Sequence, residues 1–124
     1  SFQTTGMKVL VIGASLHHWR VSNEAVQLLK AYGHDVTAVG RDDGSIGDVP
    51  VLQHIPADEK FDTVTLYLNP GNQKEYYTKI LDIHPRRIIF NPGAENTEFE
   101  KLANENGIIT EEACTLVLLR TRQF

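Results

Sequence analysis

A single cysteine, Cys114, rules out an internal disulfide and fits a reducing compartment. No apolar stretch approaches the ~20 residues that a membrane-spanning helix needs. No charged-then-apolar leader is visible, so a cytoplasmic location is the expectation. Positive charge is scarce too. With a formal net charge of -4 and no basic tract, the chain is a poor candidate for nucleic-acid binding. Repeats, linkers and low-complexity segments are missing. The histidines, His17, His18, His34, His54 and His84, have no chelating spacing, and neither a cysteine pair nor an HExxH pattern supports them. No metal site is expected on those grounds. No serine–histidine–acid order and no paired carboxylates point to a catalytic residue.

What is present is enough for one domain. A chain of 124 residues can bury a proper core without disulfides or metal. Residues 7–124 are read as that domain. Residues 1–6 are polar and unpatterned, and are expected to be a flexible extension outside it. Residues 8–12 (KVLVI) have the apolar, β-branched character of a strand buried on both faces. Helical spacing follows over residues 22–32, with Ala25, Leu28, Leu29 and Tyr32 on one side and Gly33 as the stop signal. Further strands are predicted at residues 36–39, 61–68, 87–90 and 108–110, with a brief extended piece at 51–55. Residues 40–50 are rich in turn formers and are predicted to be a loop. Helices are predicted over residues 72–83 and 97–106. The tail, residues 111–121, is ambiguous, with its leucine spacing favouring a helix. Strands alternating with helices imply a sheet covered on both faces. The expectation is an α/β fold: a doubly wound, parallel, five-stranded, Rossmann-like sheet in a single three-layer domain.

In such sheets ligands bind outside the carboxyl ends of the strands. Those ends are Gly13-Ala14-Ser15, Gly40-Arg41, Asn69-Pro70-Gly71 and Asn91-Pro92-Gly93, all turn-forming and polar. Any one of them could be an ordinary connecting loop. Their convergence on one rim is what suggests a site. The first is the most informative, because a small-residue turn leading into a helix N-terminus favours an anion such as phosphate. Ser22 can be read as a plain N-cap. Arg20 is close enough to the turn to pair with a phosphate, or is an idle surface arginine. Glu95 and Asn96 are read as caps of the next helix, and Cys114 as a small buried core thiol.

A dinucleotide fingerprint would need GxGxxG after the first strand and an acid at the end of the second. Here the turn reads Gly13, Ala14, Ser15, Leu16, His17, His18, so its second and third glycines are missing. The second strand ends at Arg41 rather than at an acid. NAD is therefore disfavoured. Arg41 suits a ligand with an extra ribose phosphate, which NADP and coenzyme A both carry.

The order of these pieces resembles the small, single-domain CoA-binding proteins related to the nucleotide domain of succinyl-CoA synthetase. It rests on VIGAS at residues 11–15, Arg20-Val21-Ser22, Gly33-His34-Asp35-Val36, Arg41, GDVPV at residues 47–51, and Cys114. The chain departs from that family where Leu16-His17-His18-Trp19 stands in place of proline, at Gly40, and where Asn91-Pro92 precedes Gly93. The resemblance implies that Gly13, Ser15, Arg20 and Ser22 hold a pyrophosphate, with Ala14 counted among the cofactor-binding residues of the same turn. It implies that Gly40 and Arg41 face the adenosine and its 3′-phosphate. Asn69, Pro70, Asn91, Pro92 and Gly93 would border the pantetheine path. The expected function is a CoA- or acyl-CoA-binding module without catalytic machinery, acting as a sensor, carrier or regulatory partner. Two alternatives are an NADP-binding oxidoreductase-like domain and an interaction protein that has lost its ligand. The partner it points to is a small nucleotide-like molecule, with no nucleic acid and no membrane. Homo-oligomerisation and protein partners stay open.

Overall fold

The structure is a computed structural model and describes residues 6–124. Residues 1–5, most of the expected extension, lie outside the described residues. Gly6 lies against the backbone of Gly33, whose carbonyl oxygen is 2.0 Å from where a Cβ on Gly6 would stand.

Seven strands form one sheet: β1 (Lys8–Ile12), β2 (Asp35–Val39), β3 (Gly44–Ile46), β4 (Val49–Leu52), β5 (Thr63–Leu66), β6 (Arg87–Phe90) and β7 (Ile109–Glu112). Their spatial order is β3-β4-β2-β1-β5-β6-β7. Every pairing is parallel except β3 with β4. The helices are α1 (Val21–Ala31), the short α2 (Pro70–Gln73), α3 (Tyr77–Ile83), α4 (Thr97–Glu105) and α5 (Thr115–Arg120), with a 3-10 turn at Lys74–Tyr76.

Alternation along β1 divides the core. Leu10 and Ile12 join Ile80, Ile83, Phe99 and Ala103 of α3 and α4 on one face. Val9 and Val11 join Val26, Leu29 and Leu119 of α1 and α5 on the other. This is the three-layer, doubly wound arrangement that the strand–helix alternation predicts. The strand count is two higher than expected. Residues 40–50 were expected as a loop, yet they contain β3, joined to β4 by the two-residue turn Gly47-Asp48 with Gly47 at φ +60°. Such a turn is the ordinary connection of a tight antiparallel hairpin. The single helix expected over residues 72–83 is broken into α2, the 3-10 turn and α3. The tail divides too: Glu111 and Glu112 extend β7, and only residues 115–120 are helical.

Candidate functional site

The order of the parallel strands reverses at β1, with β2 to one side and β5, the start of the second half, to the other. Crossovers leave such a point in opposite directions and open a crevice at the strands' carboxyl ends. Gly13 begins the turn out of β1 at φ +95°, and a Cβ there would stand 2.9 Å from the Tyr67 carbonyl at the exit of β5. On the other side, a Cβ on Gly40 would stand 2.1 Å from the Ala14 carbonyl oxygen. Both glycines are required by close backbone approach. The Gly13 and Ala14 amides each donate to the Val39 carbonyl at 2.9 Å. They tie the turn to β2 and are not free for a ligand. The donors for an anion lie further along, at the Ser15 amide and at Val21 and Ser22 in the first turn of α1, where a helix has no internal acceptor for its N–H groups.

The rest of the turn is held just as firmly. Ser15 Oγ accepts from the His17 amide at 3.1 Å. Asn23 Nδ2 donates to the Ser15 carbonyl at 2.9 Å, and Gln27 Nε2 donates to Asn23 Oδ1 at 2.6 Å. The N-cap position of α1 is Arg20, whose side chain makes no cap bond. This corrects the reading of Ser22 as an N-cap: Ser22 is the second helical residue and is 6% exposed. Helix α1 starts at Val21, and the Asn23 side chain, turned back to the Ser15 carbonyl, ties its first turn to the loop.

A cleft of about 470 Å³ opens over this turn, within the range of small-molecule sites. Of the candidate residues, Gly13, Ala14, Ser15, Arg20, Ser22, Gly40 and Arg41 line it. The remaining expected residues do not. Asn69 caps α2, its side chain accepting from the Asn72 amide at 3.0 Å with Pro70 next in the helix. Asn91 is 1% exposed; its Nδ2 donates to Thr65 Oγ1 and the Leu66 carbonyl, and its Oδ1 accepts from the Thr115 amide. It fastens the exit of β6 to α5. Pro92 and Gly93 are exposed in the turn that follows, where the Gly93 amide donates to Glu95 Oε1 at 2.9 Å.

The opposite wall was not foreseen. It consists of Tyr67 and Leu68 from the exit of β5, with Asn72, Glu75 and Tyr76 from the segment after it. The last three recur at i, i+3 and i+4, so they share one helical face; placing that helix after β5 would have projected them to the rim. His17 and Asp42 also reach the cleft. Burial pushes the Tyr67 hydroxyl up from its ordinary pKa. Although Thr65 and Thr115 are close, that hydroxyl makes no hydrogen bond of normal geometry among the described residues. Burial also raises Tyr76, Glu75 adds to this, and the Arg41 charge across the cleft opposes both. Cys114, expected in the core, is only half-buried at the N-cap position of α5. Among the described residues, no group of His, Cys, Asp and Glu is arranged to hold a metal, and no helix is long and apolar enough to cross a membrane.

Sheet order, switch-point cleft and the small-residue turn together define a doubly wound α/β domain of the Rossmann-like class. The sequence pattern of the CoA binding domain matches residues 7–120, and the chain belongs to that family. No curated protein matches it. A crystal structure of an uncharacterized protein is 41% identical, with a TM-score of 0.93, the match covering 98% of this chain and 100% of that one. A hypothetical protein from Pyrococcus horikoshii OT3 is 23% identical with a TM-score of 0.83, covering 94% of this chain and 82% of that one. A Thermus thermophilus structure is 20% identical with a TM-score of 0.82, covering 95% and 91%. The last two show the shared fold.

Proposed function

We propose that this protein binds coenzyme A or an acyl-CoA in the cleft between the exits of β1, β2 and β5, as a non-catalytic sensor, carrier or regulatory partner. The observation that carries this reading is the meeting of two arginines, Arg20 and Arg41, with the N-terminus of α1 in one cleft. A ligand with a pyrophosphate and a separate ribose phosphate offers anionic groups for both. Family membership supports the same ligand. Among the described residues, neither serine hydroxyl of the cleft has a hydrogen-bonded imidazole or carboxylate to activate it. A single unpaired thiol fits the reducing cytoplasm.

Arg41 alone would serve NADP as well, so the two ligands must be compared directly. CoA and acetyl-CoA are expected to raise the melting temperature while NAD does not, because a ligand bound only to the native state stabilises it. Arg20→Ala should weaken CoA and dephospho-CoA alike. Arg41→Ala should weaken CoA by roughly ten- to a hundredfold and leave dephospho-CoA unaffected, as one charge-assisted hydrogen-bonded contact is worth about 1.5–3 kcal/mol. Stabilisation by NADP and not by CoA would transfer the cleft to a dinucleotide. No shift with any of these nucleotides would leave an interaction protein without a ligand.

A further inference from the structure

The first loop, where this chain departs from its family, carries an aromatic pair at the mouth of the cleft. The His17 ring stacks on the Trp19 indole with centroids 4.5 Å apart and planes 20° from parallel. His18 meets the same indole edge-on at 5.3 Å. His17 lines the cleft, and Trp19 is 68% exposed.

An exposed indole in a mobile loop would mean little, but this loop is anchored along its length. The His17 amide bonds to Ser15 Oγ, and the His17 carbonyl accepts from the Arg20 amide at 3.0 Å. Leu16 packs on Gly44, with its Cδ1 2.8 Å from where a Cβ there would stand. That contact ties the loop to the start of β3, three residues on from Arg41. The aromatic pair thus stands on an anchored loop, and His17 lines the same cleft as Arg41.

The geometry points to a purine platform: the His17–Trp19 stack offers a ring face to the adenine of the bound nucleotide while Arg41 takes its ribose phosphate. This rests on the CoA reading of the cleft. Base and 3′-phosphate are attached to the same ribose, so a ligand held by Arg41 carries its base in the cleft that His17 also lines, with its pantetheine arm on the far side of the ribose. A planar heterocycle gains from a rigid aromatic face without losing rotamer freedom of its own.

Trp19 is the sole tryptophan, so emission excited at wavelengths where only indole absorbs reports on this position alone. Emission and calorimetric titrations with CoA, 3′,5′-ADP and pantetheine separate the two ends of the ligand. CoA and 3′,5′-ADP are expected to quench Trp19, and pantetheine is not. Trp19→Ala should weaken both nucleotides by about ten- to a hundredfold, the range of a base–aromatic stack. Trp19→Phe should restore most of that loss, and neither variant should lower the melting temperature of the free protein, because the side chain is exposed. Calorimetric binding of CoA with unchanged emission and unchanged affinity in Trp19→Ala would overturn the platform and leave the CoA reading standing. Quenching by pantetheine in place of 3′,5′-ADP would assign the pair to the acyl arm and equally overturn it. Absence of CoA binding to the unaltered protein would overturn both.

Discussion

At Gly40 a single hydrogen atom keeps two loops in contact. A Cβ would stand 2.1 Å from the Ala14 carbonyl oxygen and 3.1 Å from Val51 Cγ1, and the carbonyl cannot swing aside as a flexible side chain could. Gly40→Ala is therefore an overpacking substitution, costing about 1–3 kcal/mol, and the displaced atom belongs to the turn at the head of the cleft. Urea unfolding and CoA calorimetry should show loss of stability and of affinity together. Gly47→Ala is the control. It has φ +60° but open space around its Cβ, so it should cost roughly 1 kcal/mol of backbone strain and leave affinity unchanged. Equal losses of affinity in both variants would show that the Ala14 contact is not what Gly40 provides. The sequence marks both positions as glycine turns and cannot tell them apart. What separates them is the β1–β2 register, which pairs Ile12 with Val39 and so brings the next residues, Gly13 and Gly40, level. The same register consumes the Gly13 and Ala14 amides, which is why the anion donors lie further along than the motif alone suggests.

Among the elements, α4 shows how local signals and tertiary ones divide. Its start is legible, since Asn96 before a Thr-Glu-Phe-Glu run is a cap signal, and Asn96 Oδ1 accepts from the Phe99 amide at 3.0 Å. The other half of that asparagine is not legible. Its Nδ2 donates to Gln73 Oε1 and to the Tyr77 hydroxyl, while Gln73, fully buried, donates to the Leu68 and Ala94 carbonyls. A buried glutamine at the end of a one-turn helix has no periodicity to announce it, and its partners come from loops far apart in the chain. Asn96→Ala removes a cap and leaves the Gln73 acceptor and the Tyr77 hydroxyl without that donor, which together should cost about 1–3 kcal/mol. Denaturant unfolding should show that loss, with CoA affinity at its original value, because Asn96 and the two side chains it bonds, Gln73 and Tyr77, line none of the cleft. A parallel drop in affinity would bring the Asn91-Pro92-Gly93 loop back into the binding site.

On the scale of the whole molecule, strand–helix alternation made the layers and the parallel sheet legible, but not which loops meet. Four loops leave the same edge of the sheet. Only those beside β1 border the crevice, since crossovers diverge there; the exit of β6 is instead closed by Asn91 on α5 and by the turn into α4. Ligand should therefore act unevenly on hydrogen exchange. Amides that exchange only through global unfolding, such as those of β1 and β6, must all slow by the same factor, about a hundredfold at a ligand concentration one hundred times Kd. That uniform effect says nothing about where the ligand sits. The discriminating amides are those that exchange by local opening in exposed loops. CoA should slow them at residues 15–22, 40–42 and 72–76. It should leave unchanged the loop over residues 56–60, which leads to the amino end of β5 at the opposite pole, and the surroundings of the Met7 amide bonded to His34 Nδ1. Protection confined to the 56–60 loop would place the ligand in the smaller groove lined by Pro56, Lys60 and Lys79, and the switch-point site would be wrong. Protection at residues 91–95 in addition to the expected loops would instead extend the site along the rim to the exit of β6.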